Sequence, residues 1–191
     1  MQAQHPDYHC APVAPFGDPA ARLLIVGLAP GAHGANATGR PFTGDFAGKL
    51  LYETLYAFGF ASAPTSHQPG DGLQLIDCRI TNAVKCLPPA NKPTGRETRT
   101  CNPFLAAEIA QQPPAVLLAL GRLAHDATLR ALGRRQRDYP FAHGAQHHPP
   151  APAPVLIDSY HCSRYNTQTR RLTEAMFHDV FHQARPYLCV P

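Results

Sequence analysis

Three short segments of the chain carry side chains suited to binding a flat, polar ligand. Asn82 lies in the apolar run CRITNAV and offers an amide that both donates and accepts hydrogen bonds, as the pairing edge of a pyrimidine requires. His161 opens the polar segment HCSRYNTQT and can donate a hydrogen bond to an oxygen atom. Phe42 follows the sequence GRP, in which proline stiffens the chain and can present an aromatic ring. These side-chain types predict a pocket for a base.

The segment GLAPGAHGANATGRPFTGD, residues 27–45, is a glycine-rich loop between an apolar and an amphipathic run. A Walker A loop carries Lys and then Ser or Thr directly after its last glycine, and a dinucleotide fingerprint has the spacing G-x-G-x-x-G. The segment has neither pattern. Its glycines, Gly31 among them, are spread along the loop, which favours a long loop whose backbone lies close to a ligand. A stacked base therefore fits this loop better than a phosphate.

Four apolar runs predict the strands that position these loops: residues 22–28, 78–84, 115–120 and 155–160. Helical patterns lie between or after them, at residues 45–60, 96–110, 122–132 and 172–184. The alternation predicts an α/β fold in which a four-stranded parallel sheet is flanked by helices on both faces. Ligands of such sheets bind beyond the carboxyl ends of the strands, where all three segments fall.

Length and composition limit the classes of protein that the chain can represent. We expect a chain of 191 residues to form a single domain, with residues 1–20 as an N-terminal extension. It has no apolar run of about 18 residues and no secretory signal, so we expect a cytoplasmic, nucleoid-associated monomer without membrane contact. The net charge of +4 favours binding to an anionic polymer.

Three motifs in order resemble those of the uracil-DNA glycosylase superfamily: LLIVGLAPGAHGANATGRPFTGD, ITNAVKCLPPANKPT and SYHCSRYNTQTRRLT. The likeness extends from Tyr8 to Ala184 and is greatest to the iron-sulfur branch, within it to family 5, also called type B. It implies a four-stranded parallel sheet between helices, in agreement with the strand pattern. It also implies hydrolysis of the N-glycosidic bond of uracil, and of other deaminated bases such as hypoxanthine, after the base has been flipped out of DNA.

The resemblance gives each of the three side chains a role. His161 would donate a hydrogen bond to the base oxygen on which negative charge develops. Asn82 would bind the edge of the base, and Phe42 would stack on it, a contact worth about 1–3 kcal/mol. The structural alternatives are a capping or core histidine, an asparagine that satisfies a strand end, and a core phenylalanine.

The residue that handles the attacking water is predicted from a position at which this chain differs from its relatives. Many relatives place an acidic or amide side chain directly after the AP of the first motif, where this chain has Gly31. Asp45 is the preferred replacement, with Asn36 second, although Asp45 also stands where the next helix needs an N-cap. Asn166 matches a motif asparagine that belongs to the site or fixes its loop, and Ser163 and Arg164 are able to bind a DNA backbone.

A second departure lies in the histidine motif. Relatives usually have His-Pro-Ser, whereas this chain has His161, Cys162 and Ser163. The loss of proline removes a rigid turn, so we expect a looser loop and lower activity. Because the reaction requires no sulfur nucleophile, we expect Cys162 to be a packed thiol.

Cys86 and Cys101 match two of the four ligands of the family's [4Fe-4S] cluster. The family's other two ligands form a Cys-x-x-Cys pair upstream of residue 1, and the chain contains no such pair. We therefore expect that the natural start lies further upstream, that Cys10 serves as an unusual ligand, or that the cluster has been lost. Two structural cysteines are a further alternative.

The sequence thus predicts a monofunctional DNA glycosylase of base excision repair whose partner is DNA containing uracil or other deaminated bases. No lysine stands at a motif position suited to Schiff-base chemistry. One alternative is a non-catalytic DNA-binding or damage-sensing module on the same scaffold. A nucleotide-binding α/β protein is the other, against which the missing phosphate motifs count.

Overall fold

The computed structural model describes residues 1–188, which form one mixed sheet between two layers of helices. The six strands are β1 (Phe16–Gly17), β2 (Leu23–Gly27), β3 (Cys78–Asn82), β4 (Val116–Leu120), β5 (Gln146–His147) and β6 (Val155–Ser159). Their order across the sheet is β1-β3-β2-β4-β6-β5. Cys189, the sixth cysteine of the chain, lies outside the described residues.

The predicted parallel strands form the centre of this sheet, but the prediction of four strands was incomplete. Strands β3, β2, β4 and β6 are mutually parallel, whereas β1 and β5 pair antiparallel to β3 and β6 at the two edges. Each edge strand has two residues, which is too short to produce a periodic pattern in the sequence. The α/β class is correct, and the sheet is mixed and six-stranded.

Helices cover both faces of the sheet because its central strands are apolar on both sides. The helices are α1 (Ala35–Thr38), α2 (Phe46–Ala57), α3 (Gly95–Gln111), α4 (Arg122–Ala131), α5 (Arg164–Gln168) and α6 (Glu174–Leu188). Leu23 and Ile25 of β2 belong to the same buried cluster as side chains of α2 and α6. Leu24 and Val26 belong to a second cluster with side chains of α3 and α4. The alternation along β2 therefore separates two cores.

The N-terminal residues pack against the sheet and the glycine loop. The amide of Val13, a buried residue, donates to the carbonyl of Lys85 at 2.8 Å, and the amide of Cys10 donates to the carbonyl of Asn36 at 3.0 Å. Strand β1 then adds the segment to the sheet edge. Within residues 1–188, no helix has the length and apolar character that crossing a bilayer demands.

Candidate active site

A cavity of about 650 Å³ opens at the carboxyl ends of the parallel strands. Its walls come from the glycine loop after β2, from the end of β3 and from the loop after β6, as the strand pattern predicted. The predicted site residues that line it are Gly31, Phe42, Asp45, Asn82, His161 and Ser163. Asn36 and Asn166 are not among the lining residues. Three separate chain crossings therefore converge on one space.

Phe42 forms an apolar wall of the cavity and is also part of the core. Its side chain is buried, and its ring lies 5.9 Å from the ring of His161, at an interplanar angle of 25°. Its backbone has a φ of 55°, in the left-handed region that side chains other than Gly and Asn rarely adopt. The surrounding structure must therefore hold this residue in place.

Two buried contacts hold the two residues that precede Phe42. The hydroxyl of Tyr52 in α2 donates to the carbonyl of Pro41 at 2.8 Å. The guanidinium of Arg40 forms an ion pair with Asp71 at 2.8 Å, and both side chains are largely buried. These bonds tie the loop to α2 and to the segment before β3, so the ring is presented to the cavity from a fixed backbone.

Asn82 contributes an unpaired amide to the cavity. It ends β3 in register with Gly27 of β2, and its side chain is only 3% exposed. The side-chain oxygen lies against the α-carbon of Gly27, which leaves no room there for a methyl group. No residue between 1 and 188 forms a hydrogen bond with this amide. Buried polar groups are almost always hydrogen-bonded, so an amide without a partner at a cavity wall indicates a group that binds a ligand.

His161 is a neutral imidazole at the next wall. Burial lowers its pKa to about 4, so the ring carries no net charge at pH 7 and one nitrogen keeps its proton. Neither ring nitrogen has a hydrogen-bond partner in the described part of the chain. Its β-carbon packs near Gly121, whose φ of 95° requires glycine. One N–H is therefore available to a ligand.

Asp45 caps α2 and also lines the cavity. Its Oδ1 accepts the amide of Gly48 at 3.1 Å, as the N-cap of α2 does. Its other oxygen faces the glycine loop, 3.5 Å from where a β-carbon on Gly31 would stand. Burial raises the pKa of this carboxyl, against the lowering effect of the amides of Gly48 and Ala47. The carboxylate thus caps a helix and borders the cavity.

The remaining predicted residues support loops. The side-chain amide of Asn166 donates to the carbonyl of His161 at 2.8 Å. The hydroxyl of Ser163 caps α5 by accepting the backbone N–H of Asn166 at 3.4 Å. The amide of Asn36 is directed to the carbonyl of Ala32 at 3.4 Å and to the sulfur of Cys10 at 3.6 Å. The side chain of Asn36 is therefore bound inside the protein and does not line the cavity.

Three further polar residues line the cavity: His33, Asn91 and Arg164. Arg164 was noted in the sequence for DNA contact, whereas His33 and Asn91 were missed. Nδ1 of His33 lies 3.0 Å from the hydroxyl of Tyr8, so the N-terminal segment reaches the cavity wall. Asn91 has a φ of 56°, a conformation that asparagine tolerates well, and this tolerance was the available sequence signal.

The cysteines divide between the core and the surface near residue 86. Cys162 is fully buried, as predicted for a packed thiol, and burial raises its pKa. Cys86 is exposed and shares the wall of a cavity of about 280 Å³ with Cys101, while Cys10 shares a neighbouring depression with Cys86. These three thiols do not converge as a ligand group among the described residues. The cysteines among residues 1–188 therefore do not form a complete four-thiolate set.

A ring, an unpaired amide and a neutral imidazole around one cavity define an α/β protein that binds a base at the carboxyl edge of its sheet. Residues 14–185 match the model of the uracil DNA glycosylase superfamily. The chain belongs to this superfamily.

Curated relatives align with most of this chain. A type-5 uracil-DNA glycosylase of Thermus thermophilus is 50% identical over 179 residues, which cover 93% of this chain and 81% of the relative. A type-5 uracil-DNA glycosylase of Mycobacterium leprae is 44% identical over 181 residues, covering 93% of this chain and 79% of the relative. A type-4 uracil-DNA glycosylase of Pyrobaculum aerophilum is 39% identical over 114 residues, covering 59% of this chain and 50% of the relative.

Proposed function

We propose that the protein is a monofunctional uracil-DNA glycosylase that hydrolyses the N-glycosidic bond of uracil in DNA and leaves an abasic site. The observation that carries this proposal is the pair formed by Asn82 and His161, whose side chains line one cavity and have no hydrogen-bond partner among residues 1–188. The type-5 relatives bear the name of this activity and resemble nearly the whole chain.

The reaction places opposite charges on its two products, and the cavity has groups for each. The electron pair of the broken C–N bond leaves with the base, so negative charge collects on the base oxygens while the sugar becomes positive. His161, as a neutral donor, stabilises the departing anion, and Asn82 holds the edge of the base. Phe42 supplies the stacking surface.

Asp45 handles the water in this proposal. Its carboxylate orients the water that attacks the anomeric carbon, accepts a proton from that water and stabilises the positive sugar. It borders the cavity beside Gly31, which leaves the space open. The side chain of Asn36 bonds to the carbonyl of Ala32 and does not line the cavity, and this position favours Asp45 over Asn36 as the residue that handles the water.

The size of the cavity supports a wider choice of base. A volume of about 650 Å³ lies in the range of pockets for ligands larger than a pyrimidine. We therefore include hypoxanthine and xanthine among the substrates of the proposed enzyme.

A cleavage panel tests the function. Duplexes containing uracil, hypoxanthine, xanthine or a thymine mismatch are incubated with the wild type, with His161→Ala and with the exposed-histidine control His67→Ala. We expect abasic product from uracil with the wild type and the control, and a rate lower by about 10²–10³ with His161→Ala. Binding of the uracil duplex without abasic product would replace this proposal with a non-catalytic damage-sensing module.

The cluster is a separate proposal. We infer that Cys86 and Cys101 supply two thiolates to a [4Fe-4S] cluster whose other ligands are not among the described residues. Iron and sulfide are assayed on this chain and on a chain extended upstream. Iron in the extended chain that is lost on Cys86→Ser would support the inference, and its retention would contradict it.

The proposed substrate indicates where the enzyme acts. Since the substrate is genomic DNA, we propose that the enzyme works at the nucleoid, in the cytoplasm. We propose separately that it acts as a monomer. Light scattering of the protein with and without duplex DNA tests the monomer.

A further inference from the structure

A buried cluster of two histidines and one aspartate lies beside the candidate site. It comprises His125 of α4, His147 of β5 and Asp158 of β6, and we name it the His-Asp-His cluster. Nδ1 of His125 lies 2.7 Å from one oxygen of Asp158, and Nε2 of His147 lies 2.9 Å from the other. All three side chains are buried, and Asp158 has no exposed surface. None of them lines the cavity.

Hydrogen bonds join the cluster to three parts of the chain. Nε2 of His125 lies 2.9 Å from the carbonyl of Tyr139, which can only accept, so this nitrogen donates. Nδ1 of the same ring faces one oxygen of the Asp158 carboxyl group, and Nε2 of His147 faces the other. Both oxygens of this buried carboxyl group therefore have a hydrogen-bond partner.

The hydrogen bonds account for the polar groups of the cluster without a metal ion. The Asp158 oxygens lie 2.7 and 2.9 Å from ring nitrogens of His125 and His147. An ion bound to the same nitrogen and oxygen atoms would replace these hydrogen bonds.

The cluster lies at the base of the loop that carries His161. Asp158 precedes His161 by three positions, and the segment around His147 lines up beside it. The amide of Gly144 donates to the carbonyl of Asp158 at 2.8 Å, and the amide of Tyr160 donates to Nδ1 of His143 at 3.1 Å. The rings of His143 and Tyr160 stack at 5.0 Å. One side of residues 158–160 is therefore bound to the histidine-bearing segment.

We propose that the His-Asp-His cluster positions His161 for catalysis by fixing the carboxyl end of β6 to α4 and to the segment before β6. This inference rests on the proposed role of His161. The three residues are positioning residues, because they contact neither the cavity nor the substrate. Displacing a reacting group by about 1 Å can lower a rate about 10²-fold, so a loosened β6 end should lower the rate of base excision.

Variants of His147 test the proposal. In His147→Gln the side-chain amide nitrogen replaces Nε2 as donor to Asp158, whereas His147→Ala leaves one oxygen unpaired. Asn102→Ala is the matched control, because Asn102 is also buried and its amide bonds at 2.8 Å to the carbonyl of Ala127, without contact to Asp158 or to the cavity lining. Single-turnover excision of uracil, affinity for uncleaved DNA and Tm are measured for each protein.

We expect His147→Ala to lower the single-turnover rate about 10- to 100-fold with an affinity for DNA within twofold of the wild type. His147→Gln should restore most of the rate, and Asn102→Ala should lose a similar Tm without losing rate. Nitrogen-15 spectra of the wild type should show a hydrogen-bonded N–H at Nε2 of His125. A rate loss shared equally by Asn102→Ala and both His147 variants would overturn the proposal.

The outcomes separate this inference from the proposed function. If His161→Ala keeps the wild-type rate, the role of His161 fails, and the positioning proposal fails with it. If His161→Ala is slow but His147→Ala matches the control, the positioning proposal alone fails. Stoichiometric zinc in the purified protein, lost on His147→Ala, would replace the hydrogen-bonded cluster with a metal site.

Discussion

His161 owes its ionisation state to burial, and no charged neighbour is needed to explain it. Desolvation penalises the imidazolium and moves its pKa down to about 4. The consequence for catalysis is that the donor is neutral over the whole physiological range, so it stabilises a departing anion by hydrogen bonding and not by a full charge. The consequence for stability is a dependence on pH.

Acidification should destabilise the protein through His161. Between its ordinary value of 6.5 and its folded value of about 4, the unfolded chain binds the proton that the folded protein rejects. Stability is therefore lost as the pH falls through this window. Between pH 7 and pH 5.5, we expect the free energy of unfolding of His161→Gln to fall by about 1 kcal/mol less than that of the wild type. Urea unfolding at both pH values measures this, and parallel losses in the two proteins would contradict it.

Asp45 allows its two roles to be separated by substitution. Asparagine is as good an N-cap as aspartate, so Asp45→Asn should keep α2 intact while removing the carboxylate that faces Gly31. We expect a single-turnover rate lower by at least about 10²-fold with Tm nearly unchanged. Asp45→Ala should show the same rate loss and cost about 1 kcal/mol of stability in addition. A wild-type rate in Asp45→Asn would leave the residue as a cap only.

At the scale of elements, the site depends on how closely β2 and β3 approach at their carboxyl ends. Gly27 and Asn82 are partners in register, and the ring of Phe42 crosses over the same glycine. A side chain on Gly27 would occupy the space that the amide and the ring share. The absence of a β-carbon at this one position therefore lets two loops meet.

Gly27→Ala should damage the site more than the fold. The added methyl would overlap the Asn82 oxygen and come within 2.7 Å of the Phe42 ring, so both groups must move. We expect the rate of excision to fall about 10-fold or more. Gly95→Ala is the control, since its methyl meets only the flexible end of Arg99 at 3.2 Å. Equal rates in the two variants would show that the contact at Gly27 is unimportant.

The sequence predicts elements with a strong pattern and misses those without one. Strands β2, β3, β4 and β6 lie within two residues of the predicted runs because each is a short, almost wholly buried run rich in apolar residues. Helices α1 and α5 have four and five residues, too few for a helical period. Phe42, Asn82 and His161 could be predicted to meet because parallel strands direct their following loops to one edge. Asn91 could not, because its direction depends on a left-handed turn.

At the scale of the whole molecule, the net charge of +4 is small for a protein that binds a polyanion. Placement therefore matters more than the total. Arg164 lies at the cavity, is exposed, and stands over the ring of Phe46 at 5.1 Å. It is suited to a phosphate beside a flipped nucleotide.

Arg164→Gln should weaken binding and make it less dependent on salt. Loss of one phosphate contact lowers the slope of log K against log salt concentration by about one. Fluorescence anisotropy of an uncleaved duplex between about 50 and 200 mM salt measures the slope. Arg130→Gln, in the last turn of α4, removes an exposed charge and is the control. The same slope in Arg164→Gln and the wild type would exclude this contact.

The hydroxyl of Tyr8 reaches His33 in the wall of the cavity, so the N-terminal segment touches this wall. Met1 and Gln2 lie at a separate depression beside Cys10 and Cys86, and an affinity tag fused there would be joined to the cavity wall through a short stretch of chain. Preparations that differ only in such a tag should therefore differ in apparent affinity for DNA, and measurements on this protein are best compared after the tag has been cleaved.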